Sequence, residues 1–253
     1  MLKQLNKSQK QQSIEEIKAT VIRFIEEFGI TQPIDNSFKT VEKKLGYSIV
    51  TKKVSNHISG FQYKIGNKNY IFINNNHTLG RQNHTLWHEV YYLYTRDGKL
   101  IDKRGTQNFS IAEFKADQFA SQLLMDKDLV KNYVEENNIL NTSKKYFNEE
   151  DIIRMLNYFH VSFNDVRTRL EEIYEDFNEV YFNFDTLVKY DELLELTKEL
   201  GYDSKLLEVP KENYISPELF IYFKDNMVNG KISSKRVSEI LNFLETELEI
   251  IVE

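Results

Sequence analysis

The sequence predicts an α+β protein in which a small antiparallel β-sheet packs on helices and a mostly helical C-terminal region follows. Between residues 47 and 75, apolar residues alternate with a period of two, which is typical of strands with one buried face. On either side of that stretch they recur at three- and four-residue spacing, which is typical of amphipathic helices. A chain of 253 residues that is 41% apolar can also bury a substantial core.

The elements of the first half follow in order. A first helix is predicted from Ser13 to Phe28 with Gly29 as its C-terminal cap, and a shorter helix from Phe38 to Leu45. Three strands come next, the last two forming a hairpin through Gly66 and Asn67; the segments are 47–54, 58–66 and 69–75. Helices are then predicted over 79–95 and 109–125, joined by a polar loop, 96–108, of the kind that lines or covers clefts.

The second half is predicted to be almost entirely helical. Asn148 and Ser162 are the expected N-caps of a helix pair, and three further helices follow residue 185. The acidic stretch "YEDFNEVYFNFD" suggests a boundary near residues 176–184. We therefore divide the chain into a domain over 1–176 and a helical region over 177–253.

Composition excludes several classes of protein. A formal net charge of −6 argues against binding nucleic acid through bulk charge. The sequence shows no eighteen-residue apolar run and its N-terminus is polar, so we predict no membrane span, no signal peptide and a cytoplasmic location. The absence of cysteine excludes disulfides, thiol nucleophiles and cysteine-based zinc sites. Any metal must therefore be held by histidine and carboxylate side chains.

The segment "HTLWHEVYYLY", residues 84–94, nearly matches a zinc-protease helix. His-Glu-x-x-His places two imidazoles one turn apart on one face, with the Glu beside them to activate a metal-bound water. His88 and Glu89 are present, but Tyr92 stands where the second His belongs. His84 precedes His88 by one turn and shares its face. Three hypotheses follow: a working metalloenzyme, a site rebuilt from other ligands, and a binding protein on the scaffold of a former enzyme.

Each of these residues also has an ordinary structural explanation. "SIAE" fits a capping box in which Ser110 caps a helix and Glu113 bonds back to its first amide. His84 fits a half-buried helix position, and Tyr92 fits a core or rim aromatic.

The order of several motifs along the chain favours the metal-site interpretation over these structural explanations. An "SGF" strand, a "YIFIN" strand, an arginine shortly before "HTLWHEVYY", the helix "EFKADQFASQLLM" and the segment "YFHVSFNDVRTRL" follow one another. Together they resemble the ImmA/IrrE family of zincin-like metallo-endopeptidases over roughly residues 10–175. The resemblance implies that His88 is a zinc ligand, Glu89 the general base and Glu113 the ligand from the second helix. It also implies a helix-turn-helix transcriptional repressor as partner, cleaved or otherwise inactivated in prophage, mobile-element or stress control.

Tyr92 departs from the family pattern at a ligand position. Catalytic zinc is normally held by three protein ligands, and a neutral phenol with a pKa near 10 is a poor substitute for imidazole. We therefore predict weak zinc binding or none, and weak or absent peptidase activity. Metal chemistry could persist in two ways. The site could shift to His84, His88 and Glu113, or Tyr92 could act as a weak ligand or oxyanion donor. A protein that binds the repressor without cleaving it is the main alternative.

A further hypothesis is direct DNA binding by the helix-turn-helix-like segment 148–176. Arg167 and Arg169 lie on its candidate recognition helix. Acidic neighbours, among them Asp165 and Glu171, would repel phosphates, so we expect that nucleic acid is not bound directly.

Overall fold

The computed structural model describes residues 5–96, 107–141, 144–174, 181–182 and 190–245. The helices in these ranges are α1 (Lys7–Phe28), α2 (Ser37–Thr40, continued by a π-helical turn over Val41–Leu45), α3 (Leu79–Thr95), α4 (Gln107–Leu124), α5 (Lys127–Glu136), α6 (Glu149–Phe159), α7 (Phe163–Ile173), α8 (Tyr190–Glu199), α9 (Pro217–Val228) and α10 (Ser234–Glu245). The strands are β1 (Ser48–Lys52), β2 (Gly60–Ile65), β3 (Lys68–Asn74), β4 (Tyr146–Phe147) and β5 (Tyr181–Phe182), and a 3₁₀ turn covers Ser204–Leu207.

The main sheet has the strand order β1-β3-β2. Strands β2 and β3 form the expected antiparallel hairpin, with Gly66 at a positive φ of 56° in the turn. Strand β1 pairs with β3 in parallel, so the sheet is mixed and not wholly antiparallel as expected. The reason is geometric: the chain reverses direction once between β1 and β2 and again between β2 and β3, which leaves β1 and β3 pointing the same way. The α+β class itself is confirmed.

Helix α3 runs through the core, between the sheet and helices α1 and α4. Leu86, Trp87, Val90 and Tyr91 have almost no exposed surface, so the apolar stripe of α3 is fully buried. The indole Nε1 of Trp87 donates a hydrogen bond of 2.9 Å to Ser37 Oγ, which satisfies the one polar atom of that side chain. Burying side chains of this size stabilises the fold by about 1.5–3 kcal/mol each, so the orientation of α3 is strongly fixed.

Helices α6 and α7 are the helix-turn-helix-like pair, and α7 and the turn between the two helices contact α3 near its N-terminus. Their predicted N-caps, Asn148 and Ser162, are confirmed, and each forms a reciprocal capping box with an aspartate three residues later. Gly80 lets the turn between them approach α3 closely, because a Cβ there would lie 2.7 Å from the backbone of Val161 and Ser162. This close contact brings the N-terminus of α7 to the side of α3 that carries His84.

The C-terminal region extends the sheet by a single bridge. Ile215 pairs with Val50 in an antiparallel bridge, and the backbone N–H of Ser216 donates to Ile49 O at 2.8 Å. On the other side of this bridge, along the same edge of β1, the backbone N–H of Thr51 donates to Tyr214 O at 2.7 Å. Residues 214–216 therefore cover the outer edge of β1. The predicted division at residues 176–177 stays a prediction, because residues 175–180 and 183–189 lie outside the described residues.

Most of the predicted polar loop over 96–108 also lies outside the described residues, which resume at Gln107. Among the helices of the described ranges, none combines the length and apolar character needed to cross a membrane.

Candidate functional site

A cleft of about 520 Å³ opens along α3, between α4, the start of β2 and the N-terminus of α7. Its walls carry most of the residues that the sequence singled out, together with two further carboxylates. These residues are His84, His88, Glu89, Glu113, Asp117 and Asp165. Helix periodicity explains much of this grouping, since His84 and His88 lie one turn apart on α3 with Glu89 on the adjacent face, and Glu113 and Asp117 lie one turn apart on α4.

His88 is held between two carboxylates of α4. Its Nδ1 lies 2.8 Å from Asp117 Oδ1, and its Nε2 lies 3.8 Å from Glu113 Oε2. Burial alone would lower the pKa of His88, but the hydrogen bond and charge of Asp117 outweigh it, so the pKa is raised. Hydrogen bonds with His84 and His88 hold the pKa of Asp117 well below its usual range despite the burial of that carboxyl group.

Tyr92 lies one turn after His88, at the position of the missing histidine. Its hydroxyl donates a hydrogen bond of 2.5 Å to Glu113 Oε1, and its ring meets that of His88 edge to face at 5.5 Å. Burial raises the pKa of Tyr92 strongly, and the Glu113 carboxylate raises it further. The phenol therefore remains protonated at neutral pH and acts as a donor to Glu113.

Glu89 is 8% exposed and lies beside His88 on the cleft wall. Burial raises its pKa to about 7, with a further contribution from Glu113 and an opposing one from His88. A carboxyl group with such a pKa can hold a proton and also release it near neutral pH, which is the property expected of a general acid or base.

His84 faces two carboxylates from different helices. Its Nδ1 lies 3.1 Å from Asp165 Oδ1 on α7, and its Nε2 lies 3.8 Å from Asp117 Oδ1 on α4. Burial would lower the pKa of His84, but Asp165 and Asp117 outweigh it and raise the pKa to about 10. His84 is thus an imidazolium that links α3 to α4 and α7. A shifted site with His84 as ligand would require both of these contacts to break.

The set of donor atoms does not fit a three-ligand zinc site as it stands. Two ligands at zinc-bond distances in a tetrahedral arrangement lie roughly 3.4 Å apart, so the His88 and Glu113 atoms are close to suitable positions. The third position holds a neutral phenol whose hydroxyl donates a hydrogen bond to Glu113. Among the described residues, no group of three histidine, cysteine or acidic side chains is arranged to hold a metal ion.

The capping-box interpretation of "SIAE" was wrong. Helix α4 begins at Gln107, three residues before Ser110, so Ser110 lies within the helix and cannot be its N-cap. Glu113 instead accepts from Tyr92 across the interface between α3 and α4. Sequence analysis also missed the contacts of Asp117 and Asp165. The spacing of Asp117 one turn after Glu113 was an available signal, whereas nothing local indicated that Asp165 would meet His84.

The arginines of the helix-turn-helix-like pair are engaged within the protein. Arg169 is 7% exposed, and its Nε donates to Met125 O at 2.9 Å while its Nη1 lies 2.9 Å from Glu172 Oε2. Arg167 pairs with Glu171 at 3.3 Å. The buried guanidinium of Arg169 is therefore not free to contact a DNA groove.

Comparison with known proteins adds three findings. No curated protein matches the chain. A solved structure of a Mycobacterium tuberculosis transcriptional regulator is similar, with 15% sequence identity and a TM-score of 0.44 over 62% of this chain and 46% of that one, so the chain spans less than half of that protein. The family model described as "IrrE N-terminal-like domain" (Peptidase_M78) matches residues 42–171, just over half of the chain, and this range contains every residue of the cleft named above. The chain belongs to the ImmA/IrrE family of peptidases.

Proposed function

We propose that the protein is a regulator of the ImmA/IrrE type that binds a helix-turn-helix transcriptional repressor through the His88 cleft, and that its zinc site is impaired. The regulated process would be prophage, mobile-element or stress control. The hydrogen bond from Tyr92 to Glu113 carries the proposal, because Glu113, a would-be zinc ligand, accepts this bond from a phenol that occupies the place of the second imidazole.

The charge of the cleft supports a repressor as partner. Glu113, Asp117 and Asp165 lie along its wall beside Glu89, and the two histidines are each shared among these carboxylates. Helix-turn-helix repressors carry basic residues because they contact DNA phosphates. Arg81 and the imidazolium of His84 also line the cleft and offset part of this charge. The remaining excess of carboxyl groups would complement a basic segment of such a repressor, and electrostatic complementarity favours specific and rapid association.

Two outcomes of binding are compatible with this cleft. With residual zinc, Glu89 would serve as the general base, a role that its pKa of about 7 supports. Without zinc, the cleft would bind the repressor and remove it from DNA without cleaving it, as a non-catalytic pseudoprotease. Direct DNA binding by segment 148–176 is the third alternative, and the burial of Arg169 counts against it. A salt-dependent gel shift on mixed-sequence DNA tests that alternative.

The deciding experiment measures zinc and repressor together. Zinc per chain is determined by elemental mass spectrometry on protein purified without chelators or a histidine tag, beside a His88→Ala control. The same preparations, and a Glu89→Gln variant, are incubated with helix-turn-helix repressors encoded near the gene. We expect no zinc above the control and a repressor that is bound but intact, with Glu89→Gln binding equally well.

The contrary results are equally specific. About one zinc per chain that is lost in His88→Ala, with cleavage abolished by Glu89→Gln, would show that the site is functional and not impaired. Failure to bind or cleave any of these repressors would overturn the proposed partner class.

A further inference from the structure

A second cavity, of about 570 Å³, lies between α2, β1, the first turns of α3 and the segment 206–214. Its α3 residues are Leu79, Gln82 and Asn83, whereas the cleft is lined by Arg81, His84 and His88, so the two open on different faces of the same helix. The volume falls within the range of pockets that bind small molecules.

Two almost fully buried amide side chains line this cavity with their oxygens unused. Gln82 Nε2 donates to His77 O at 2.8 Å and to Asn75 Oδ1, and Asn83 Nδ2 donates to His160 O at 2.9 Å. A backbone carbonyl can only accept, so the orientation of both amides is fixed and their nitrogens face the protein. Within the described part of the chain, Gln82 Oε1 and Asn83 Oδ1 accept no hydrogen bond.

His160 adds a third unused atom. It lines the same cavity, and its Nδ1 is buried with no hydrogen-bond partner among the described residues. In the tautomer protonated at Nε2, this nitrogen is an acceptor. The two amide oxygens are not sealed in the interior as this nitrogen is, so they can meet a ligand in the cavity, and two free acceptors on one cavity suit a ligand that supplies N–H donors.

The charge and the aromatic walls narrow the class of ligand. Three carboxylates, those of Asp35, Glu42 and Glu212, line the cavity against a single ammonium group, that of Lys39. The rings of Phe38 and Tyr214 meet edge to face at 5.3 Å on its wall. An excess of negative charge favours a cation, and aromatic faces favour a flat one. A guanidinium or amidinium group combines positive charge with several coplanar N–H donors.

We propose that this cavity is a binding site for a small organic cation of the guanidinium or amidinium type with a flat apolar body. Gln82 Oε1 and Asn83 Oδ1 would accept its N–H groups, and Asp35 and Glu212 at the rim would favour its charge. The site is separate from the cleft and does not depend on peptidase activity or on repressor binding.

Benzamidine is a suitable probe, because it joins an amidinium group to a benzene ring. Isothermal titration calorimetry compares it with benzamide, a neutral molecule of the same shape, and with benzoate, an anionic one. We expect benzamidine to bind at least about tenfold more tightly than benzamide, and benzoate not to bind. Equal affinities for benzamidine and benzamide, or no binding of benzamidine, would overturn the proposal.

Variants then locate the bound probe. The double variant Asp35→Asn/Glu212→Gln alters two exposed rim residues, and we expect it to weaken benzamidine binding by about three- to tenfold. Gln82→Met removes a free amide oxygen and should abolish binding, with circular dichroism as the check on folding. If Gln82→Met does not fold, the double variant decides.

The acidic cleft could also attract a cation, so Glu113→Gln is the matched control. Unchanged affinity in Glu113→Gln, together with weaker binding in the rim variant, supports the second cavity. Binding that is lost in Glu113→Gln and retained in the rim variant would assign the probe to the cleft and refute the proposal.

Discussion

The hydroxyl of Tyr92 lies 2.5 Å from Oε1 of Glu113 and donates a hydrogen bond to it. This contact joins α3 to α4 at the point where a family member with the full motif would place a second histidine. Glu113 is thereby satisfied by a neutral donor from its own chain, and the two helices are fastened without a metal.

Two replacements of Tyr92 separate its effect on zinc binding from its effect on stability. Tyr92→His restores an imidazole one turn after His88, and we expect it to raise zinc content to about one per chain. Tyr92→Phe, the matched control, removes the donor without adding a ligand, so it should bind no zinc and lose about 1 kcal/mol of unfolding free energy. Elemental mass spectrometry and urea denaturation measure the two quantities. Equal zinc content in the parent protein and in Tyr92→His would show that Tyr92 does not limit the site.

Gly80→Ala tests the packing of the helix-turn-helix-like pair on α3. An alanine within a helix is ordinarily stabilising by about 0.5–1 kcal/mol relative to glycine. At this position the added Cβ would lie 2.7 Å from Val161 O and Ser162 N, so we expect a loss of about 1–3 kcal/mol instead. The sign of the change in urea denaturation decides the matter. A stabilised variant would mean that α7 does not approach α3 as closely as the structure has it.

Ser216→Ala tests the attachment of the C-terminal region to the sheet. Ser216 is 1% exposed; its hydroxyl accepts from Ile49 N–H at 2.5 Å and donates to Glu42. Loss of the hydroxyl leaves buried polar groups unpaired, which should cost about 1–3 kcal/mol in the free energy of unfolding. Ser238→Ala, at an exposed position on α10, is the control and should stay within about 0.5 kcal/mol of the parent. A similar effect of both changes would contradict a specific role for Ser216.

His77 predicts a pH dependence of stability. The residue is 5% exposed, and neither ring nitrogen has a hydrogen-bond partner among the described residues. Burial lowers its pKa, and the charge of Arg81 lowers it further. Below a pH of about 6.5 the unfolded chain therefore takes up a proton that folded His77 resists, so this residue makes the free energy of unfolding fall as pH drops.

His77→Asn should reduce that fall between pH 7.5 and 5.5, measured by urea denaturation at both pH values. His57→Asn, at an exposed histidine, serves as the control and should leave the pH dependence as it is in the parent. An unchanged pH dependence in His77→Asn would mean that His77 is protonated equally in the folded and unfolded chains.

Local sequence signals predicted the elements of the site well. Helix α3 has the predicted bounds, Leu79–Thr95, because its apolar stripe is continuous and fully buried. The caps at Gly29, Asn148 and Ser162 and the turn at Gly66 were predictable because each depends on the conformation or side chain of one residue. The pairing of β1 with β3 was not, since strand order depends on packing between distant segments.

In the candidate site, too, local features were predictable from sequence and contacts between distant segments were not. Spacing placed His84, His88 and Tyr92 on one face, and the structure agrees that all three point toward carboxylates. Which carboxylate each one meets was not predictable, because His88 and Asp117 are 29 residues apart and are joined by the packing of α3 on α4. Glu113 was open to two interpretations from sequence for the same reason.

The bridge between Ile215 and Val50 has a further consequence for behaviour at high concentration. An uncovered strand edge offers a row of free N–H and C=O groups that a strand of another molecule can pair with, which is a common start of aggregation. Residues 214–216 occupy that row along β1. Through this short stretch the chain closes the β1 edge of its sheet to a strand of a neighbouring molecule.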